Sequence, residues 1–173
     1  MELAGKNGDK FELTVIRYQF PHSSTDGWDA NWLIVRTHAT IADHEWTSDD
    51  PALLTWEVEE LANWLESLGN NHEVNPLLDF VELNLSFELL DCSTGTTRLQ
   101  VFLQLESRPP WKSWAGPGES PEGPVLDCSS NELLAWSKNL REQLRKFPRR
   151  RPLPKVSRTV SPTTDDQGPT TSS

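Results

Sequence analysis

Hydrophobic and polar residues alternate most regularly in the middle of the chain. Val81, Leu83, Leu85, Phe87 and Leu89 are interleaved with Glu82, Asn84, Ser86 and Glu88. Beyond turn-forming residues 91–96, Leu99, Val101, Leu103 and Leu105 are interleaved with Gln100, Phe102, Gln104 and Glu106. A period of two over both runs predicts a long antiparallel hairpin with one buried and one largely polar face. Leu85 and Leu103 fall on the buried face and Ser86 on the other. Nearer the N-terminus, Phe11, Leu13 and Val15 alternate, and the phase then slips to Ile16, Tyr18 and Phe20. Such a slip predicts a β-bulge or a strand covered on both faces. Residues 31–36 read as a second strand and 38–47 as a connecting or edge strand, closed by Asp49-Asp50-Pro51.

Two stretches carry helical spacing instead. Over residues 56–68, Val58, Leu61, Ala62, Leu65 and Leu68 form one apolar stripe. Thr55 is placed to cap it, Glu57, Glu59 and Glu60 suit the positive end of its dipole, and Gly69 offers a left-handed stop. Over 130–147, Leu133, Trp136, Leu140, Leu144 and Phe147 make a second stripe, and Ser129 with Glu132 has the spacing of a capping box. The expected fold is α+β, an antiparallel sheet with the long hairpin and two main helices packed on one face. Residues 1–10 read as a flexible N-terminus, 11–148 as a single domain, and 149–173, made mostly of Pro, Arg, Ser and Thr, as a disordered basic tail.

Charge changes this picture more than composition does. The net is -10, yet residues 1–130 hold 7 Lys/Arg against 22 Asp/Glu while 131–158 hold 9 against 2. An acidic body repels nucleic acid and steers basic partners towards itself. Two cysteines, Cys92 and Cys128, are too few and too far apart for a disulfide framework or a zinc signature, and read as free thiols. With no apolar leader and no membrane-length run, the expected location is the cytoplasm.

Catalytic chemistry finds little support. The four histidines show no helical i, i+4 pair, the acidic residues around Asp26 and Asp43 fit no calcium loop, and no nucleophile elbow or phosphate-binding glycine loop occurs. No metal and no cofactor are expected. The one enzymatic alternative is a small hydrolase using a Glu82/Glu106 carboxylate pair, with Arg108 close by. Against it stands a simpler ionic cluster, since one hairpin makes no substrate cleft. The run Arg149-Arg150-Arg151 lacks interleaved aromatics and reads as a solvated tail. Eight tryptophans against one tyrosine suggest core packing at Trp64 and Trp136. Trp111 and Trp114, in a Pro/Gly-rich loop, are candidate interface anchors.

Several ordered blocks resemble those of the WapI family of bacterial immunity proteins, antidotes to WapA-type contact-dependent toxins. They are Tyr18-Gln19-Phe20-Pro21, Trp28-Asp29-Ala30-Asn31-Trp32-Leu33, Asp50-Pro51-Ala52-Leu53-Leu54-Thr55-Trp56-Glu57, Asn84-Leu85-Ser86-Phe87-Glu88, Glu106-Ser107-Arg108-Pro109-Pro110-Trp111 and Leu144-Arg145-Lys146-Phe147-Pro148-Arg149. The resemblance implies a stoichiometric, non-enzymatic inhibitor of a toxin module, typically a nuclease, whose basic groove an acidic antidote would occlude. The expected partner is therefore a protein, with no nucleic acid and no membrane, and a monomer is favoured. Asp49, Asp50, Glu59 and Glu60, with Trp111 and Trp114, are the candidate partner-binding residues. The first four are expected to form one negative ridge at the start of the first helix.

Overall fold

Eight strands and two α-helices are present in the computed structural model, which describes residues 2–22, 28–93, 95–111 and 123–150. The fold is α+β, with two antiparallel sheets of four strands in place of the one expected. The first sheet runs β1 (Glu2–Ala4), β2 (Lys10–Tyr18), β3 (Trp32–Ile41), β4 (His44–Leu54) in that order. Helix α1 (Thr55–Gly69) follows. The second sheet is β5 (Leu77–Asp79), β6 (Leu85–Ser93), β7 (Thr96–Leu103), β8 (Val125–Cys128), and α2 (Ser130–Leu144) completes the set. Sequence periodicity reports which residues face inward but not which strands pair, so the division into two sheets leaves no trace in the pattern.

The phase slip in β2 is a bulge: the pairing with β3 shifts between Val15 and Arg17. The Val15 N–H donates instead to the Gln143 side chain of α2, at 2.6 Å. β4 is longer than expected and absorbs Asp49-Asp50-Pro51. Proline is tolerated there because β4 is an edge strand and the register shifts beside Pro51.

The N-terminal residues, expected as flexible, form β1, and Leu3 joins the core at 2% exposure. Asp9 ties this region down. Its carboxylate accepts from the N–H groups of Ala42 at 3.3 Å and Val125 at 2.9 Å, linking the β3–β4 turn to β8. Gly5 lets the two sheets meet, since a Cβ there would lie 2.0 Å from the Val125 carbonyl oxygen.

Both sheets and both helices share one core. Phe11 of β2, Phe87 of β6 and Trp136 of α2 stand 5.9 Å apart pairwise in edge-on contacts. The Ser129–Glu132 capping box opens α2 as the spacing requires, with Glu132 Oε2 accepting from the Ser129 N–H at 2.8 Å. At α1 the local chemistry differs from expectation. Thr55 is the first helical residue, and Glu57 caps from within by accepting from the Leu54 N–H at 2.7 Å. Gly69 remains helical, and Asn71 takes the left-handed conformation instead, at φ 57°. Gly69 serves helix packing, because a Cβ there would fall 2.8 Å from Cγ of Leu134 on α2.

The hairpin keeps its predicted central register, with Leu85 opposite Leu103. Its ends differ. β6 begins only at Leu85, so Val81 and Leu83 are each 52% exposed, and Leu105 turns into a left-handed conformation at φ 50° with its side chain half-exposed. Ser86, expected outside, is buried at 4% exposure. Among the described residues no helix is long and apolar enough to cross a membrane.

Candidate partner interface

The acidic candidates are divided between two elements, Asp49 and Asp50 on β4 and Glu59 and Glu60 on α1. Asp49 lies within β4 and makes a two-pronged ion pair with Arg36, Nε to Oδ1 at 2.7 Å and Nη2 to Oδ2 at 2.6 Å. These hydrogen bonds from Arg36 hold the Asp49 carboxyl below the usual carboxylate range. Asp50 is half-buried and turned to other work: its Oδ2 accepts from Ser107 Oγ at 2.8 Å and from Ser48 Oγ. Glu59 and Glu60 are exposed on α1. Asp49 precedes the first helical residue by six positions, roughly 20 Å of extended strand. β4 passes directly into α1 with no intervening residue, so Asp49 and Asp50 belong to the strand and Glu59 and Glu60 to the helix.

Glu82 and Glu106 have different surroundings. Glu106 accepts from Asn84 Nδ2 at 3.1 Å, while Glu82 sits in an exposed turn where its charge acts on Glu57. Asn84 also reaches Ser107 Oγ at 3.4 Å, and Trp46 Nε1 donates to the Ser107 carbonyl at 3.3 Å. Asp50, Ser107, Asn84, Glu106 and Trp46 thus form a polar seam that fastens β4 to the end of the hairpin. Trp111 stacks edge-on against Trp46 at 5.0 Å and lies 5.1 Å from His44, yet remains 42% exposed. Trp114 lies outside the described residues.

A second corner joins the C-terminal residues to β2 and α1. Asn31, 2% exposed, donates from Nδ2 to the Arg150 carbonyl at 2.9 Å. Its Oδ1 accepts from the Arg150 N–H at 2.8 Å and from Thr55 Oγ1 at 3.1 Å. The Arg150 guanidinium lies 3.6 Å over the Tyr18 ring and donates to the carbonyls of Phe20 and Pro21. Burial pushes the Tyr18 hydroxyl above its ordinary value, with Arg150 opposing. Arg149 covers Trp56 at 4.7 Å, and Trp28 stands edge-on to the same indole. Arg149 and Arg150 are therefore packed, contrary to the reading of a solvated run. The aromatic residues around Tyr18 and Trp56 were the available signal, because guanidinium groups seek such faces. Residues 151–173 lie outside the described residues.

Between α1 and β5 lies a groove of about 550 Å³ whose lining includes Glu60, Asn63, Trp64, Val74, Leu77 and Asp79. At its head Glu57 is buried at 3% exposure, accepting from Leu54 N–H through Oε2 and from Val81 N–H through Oε1, both at 2.7 Å. Burial raises the Glu57 carboxyl above the ordinary range, and the nearby charges of Glu60 and Glu82 raise it further, against the two backbone donors.

Comparison with known proteins decides the family. The model of the immunity protein WapI-like family matches residues 2–148. The chain belongs to the WapI-like immunity proteins. None of the curated proteins matches it. Among solved structures it is similar to a CdiA-CT/CdiI toxin and immunity complex from Enterobacter cloacae, at 17% identity and a TM-score of 0.30, covering 76% of this chain and 99% of that one. In this WapI-like chain the blocks that carry the sequence resemblance converge on the two corners just described. Asp50, Asn84, Glu106 and Ser107 build the polar seam. Tyr18, Trp28, Asn31, Trp56 and Arg149 build the aromatic corner. Both sets make hydrogen bonds or ring contacts within the molecule.

Proposed function

We propose that this WapI-like chain neutralises a contact-dependent toxin by binding its effector module, one to one and without catalysis. The family membership over residues 2–148 carries this reading. The excess of Asp and Glu in residues 1–130 supports a basic module, of which a nuclease is the foremost kind, because opposite fields speed encounter and fix orientation. Occlusion of the module's substrate groove would then suffice for inhibition. Of the candidate contacts, Glu59 and Glu60 are exposed, and Trp111 is accessible at 42%. Asp49 offers less free charge because Arg36 already holds it, and Asp50 less still because the polar seam holds it. The chain acts as a monomer in the cytoplasm.

A hydrolase built on Glu82 and Glu106 is disfavoured by their separate surroundings, Glu106 accepting from Asn84 and Glu82 facing Glu57. The test is co-expression of the full chain with each C-terminal toxin module encoded in its own genome. Growth restored against one module, with a stable one-to-one complex, is the expected result. Killing by every module at undiminished rate would overturn the proposal.

A further inference from the structure

Among the described residues, one uncommitted part of the surface lies along the groove between α1 and β5. Three large apolar side chains stand exposed within seven residues: Leu77 at 41%, Val81 at 52% and Leu83 at 52%. The groove floor is fixed, since Trp64, 7% exposed, donates from Nε1 to the Asn75 carbonyl at 2.9 Å. Leu77 lines the groove, and Val81 and Leu83 follow just beyond its lining residue Asp79, the Val81 N–H held by Glu57 of α1; exposed apolar side chains beside a fixed floor are the form of a binding groove.

Two acids, Glu60 and Asp79, line the groove with no Lys, Arg or His among its lining residues, and Glu82 lies close enough for its charge to act on Glu57 beside Glu60. Asp49 is paired with Arg36, Glu66 with Arg141, Glu2 with Lys10, and Glu45 with His38. Among the described residues Glu60, Asp79 and Glu82 have no cationic partner. They come from three places in the chain: the helix, strand β5 and the turn before β6. Glu60 and Glu82 also repel the buried Glu57 carboxylate. A cation brought into the groove would offset that repulsion.

We propose that the α1–β5 groove is the seat of the toxin module, and that it receives a protein segment in which Lys or Arg residues flank an apolar side chain. The apolar side chain would lie against Leu77, Val81 and Leu83, and the cations would meet Glu60, Asp79 and Glu82. This rests on the toxin-neutralising reading above and names its surface. It also accounts for a surface built apart from the two corners, where partner preference can change without loosening the fold.

The experiment uses the full chain and the toxin module whose killing it suppresses. In the variant Asp79→Lys/Glu82→Lys, affinity should fall about 100-fold at moderate salt. An equal change of net charge at exposed sites elsewhere, Asp91→Lys/Glu142→Lys, should alter affinity by less than about threefold. Val81→Ser/Leu83→Ser should speed dissociation about tenfold. Melting curves identify any variant that fails to fold. Independently of variants, hydrogen exchange of the wild-type complex should show protection over residues 60–67 and 77–83. Protection confined to another face, or folded groove variants that bind as the wild type does, would overturn the groove while leaving neutralisation intact. If no module is neutralised by the wild-type chain, the functional reading falls and the groove assignment with it.

Discussion

Replacing Asn31 by alanine should cost more than any exposed substitution, and the loss should depend on residues 119 positions away. The side chain is buried and makes three described hydrogen bonds, two with the Arg150 backbone and one with Thr55 Oγ1. At a net worth of about 1 kcal/mol each, they sum to about 3 kcal/mol. The Thr55 hydroxyl is 2% exposed and would lose its acceptor in a dry setting, whereas the half-exposed Arg150 backbone can turn to water. An Asn31→Ala cost of about 2–4 kcal/mol follows. In a chain ending after Pro148, two of the three bonds are already absent, and the same substitution should cost about 1–2 kcal/mol. Urea unfolding of the four proteins, followed by tryptophan fluorescence, gives the coupling directly. A coupling below about 0.5 kcal/mol would refute the idea that Asn31 acts by holding the C-terminal strap.

Core and surface positions of the hairpin should separate cleanly. Leu85→Ala removes a fully buried side chain and should cost about 2–5 kcal/mol. Ser86→Leu should cost about 1–3 kcal/mol by overpacking, and an unchanged unfolding midpoint would return Ser86 to the surface. The raised Glu57 carboxyl binds its proton at higher pH in the folded than in the unfolded chain. Its contribution therefore favours the fold below the unfolded value and is lost as pH rises through the folded one. Glu60→Gln/Glu82→Gln should move the Glu57 titration, read by carbon NMR of its carboxyl, to lower pH, and an unmoved titration would leave burial as the whole cause. Cys128 is 1% exposed with its thiol pushed up to about 12, mainly by burial, while Cys92 is exposed. A thiol reagent at mildly alkaline pH should titrate one cysteine in the native protein and two in denaturant, and rapid native labelling of both would contradict this burial.

Elements whose burial is decided by their own neighbours were legible in the sequence. The α1 stripe, the Ser129–Glu132 capping box, the bulge in β2 and the Leu85–Leu103 register are of that kind. Elements decided at a distance were not. Val81 and Leu83 continue the alternation of β6, but the Val81 N–H is taken by Glu57 and the chain turns before the strand starts. β1 has three residues, too few for any period, and is held by its pairing with β2. Arg149 and Arg150 look like a charge run, and their rings and acceptors come from residues 18–56. Of the proposed groove, Glu60 was named from the sequence as a candidate contact, but β5 gave no signal that its edge would complete a groove.

The Asn31–Arg150 closure also sets the order of events during synthesis. Val15 waits for Gln143 and Asn31 for Arg150, so the first sheet emerges long before the side chains that complete it. Contacts this far apart in sequence are made late, after most of the loop-closure entropy has been met. A nascent chain is therefore without this lock until residue 150 has been translated. Under the neutralising role proposed above, protection would then rest on molecules already finished when toxin arrives, because a chain still on the ribosome lacks the Asn31–Arg150 closure.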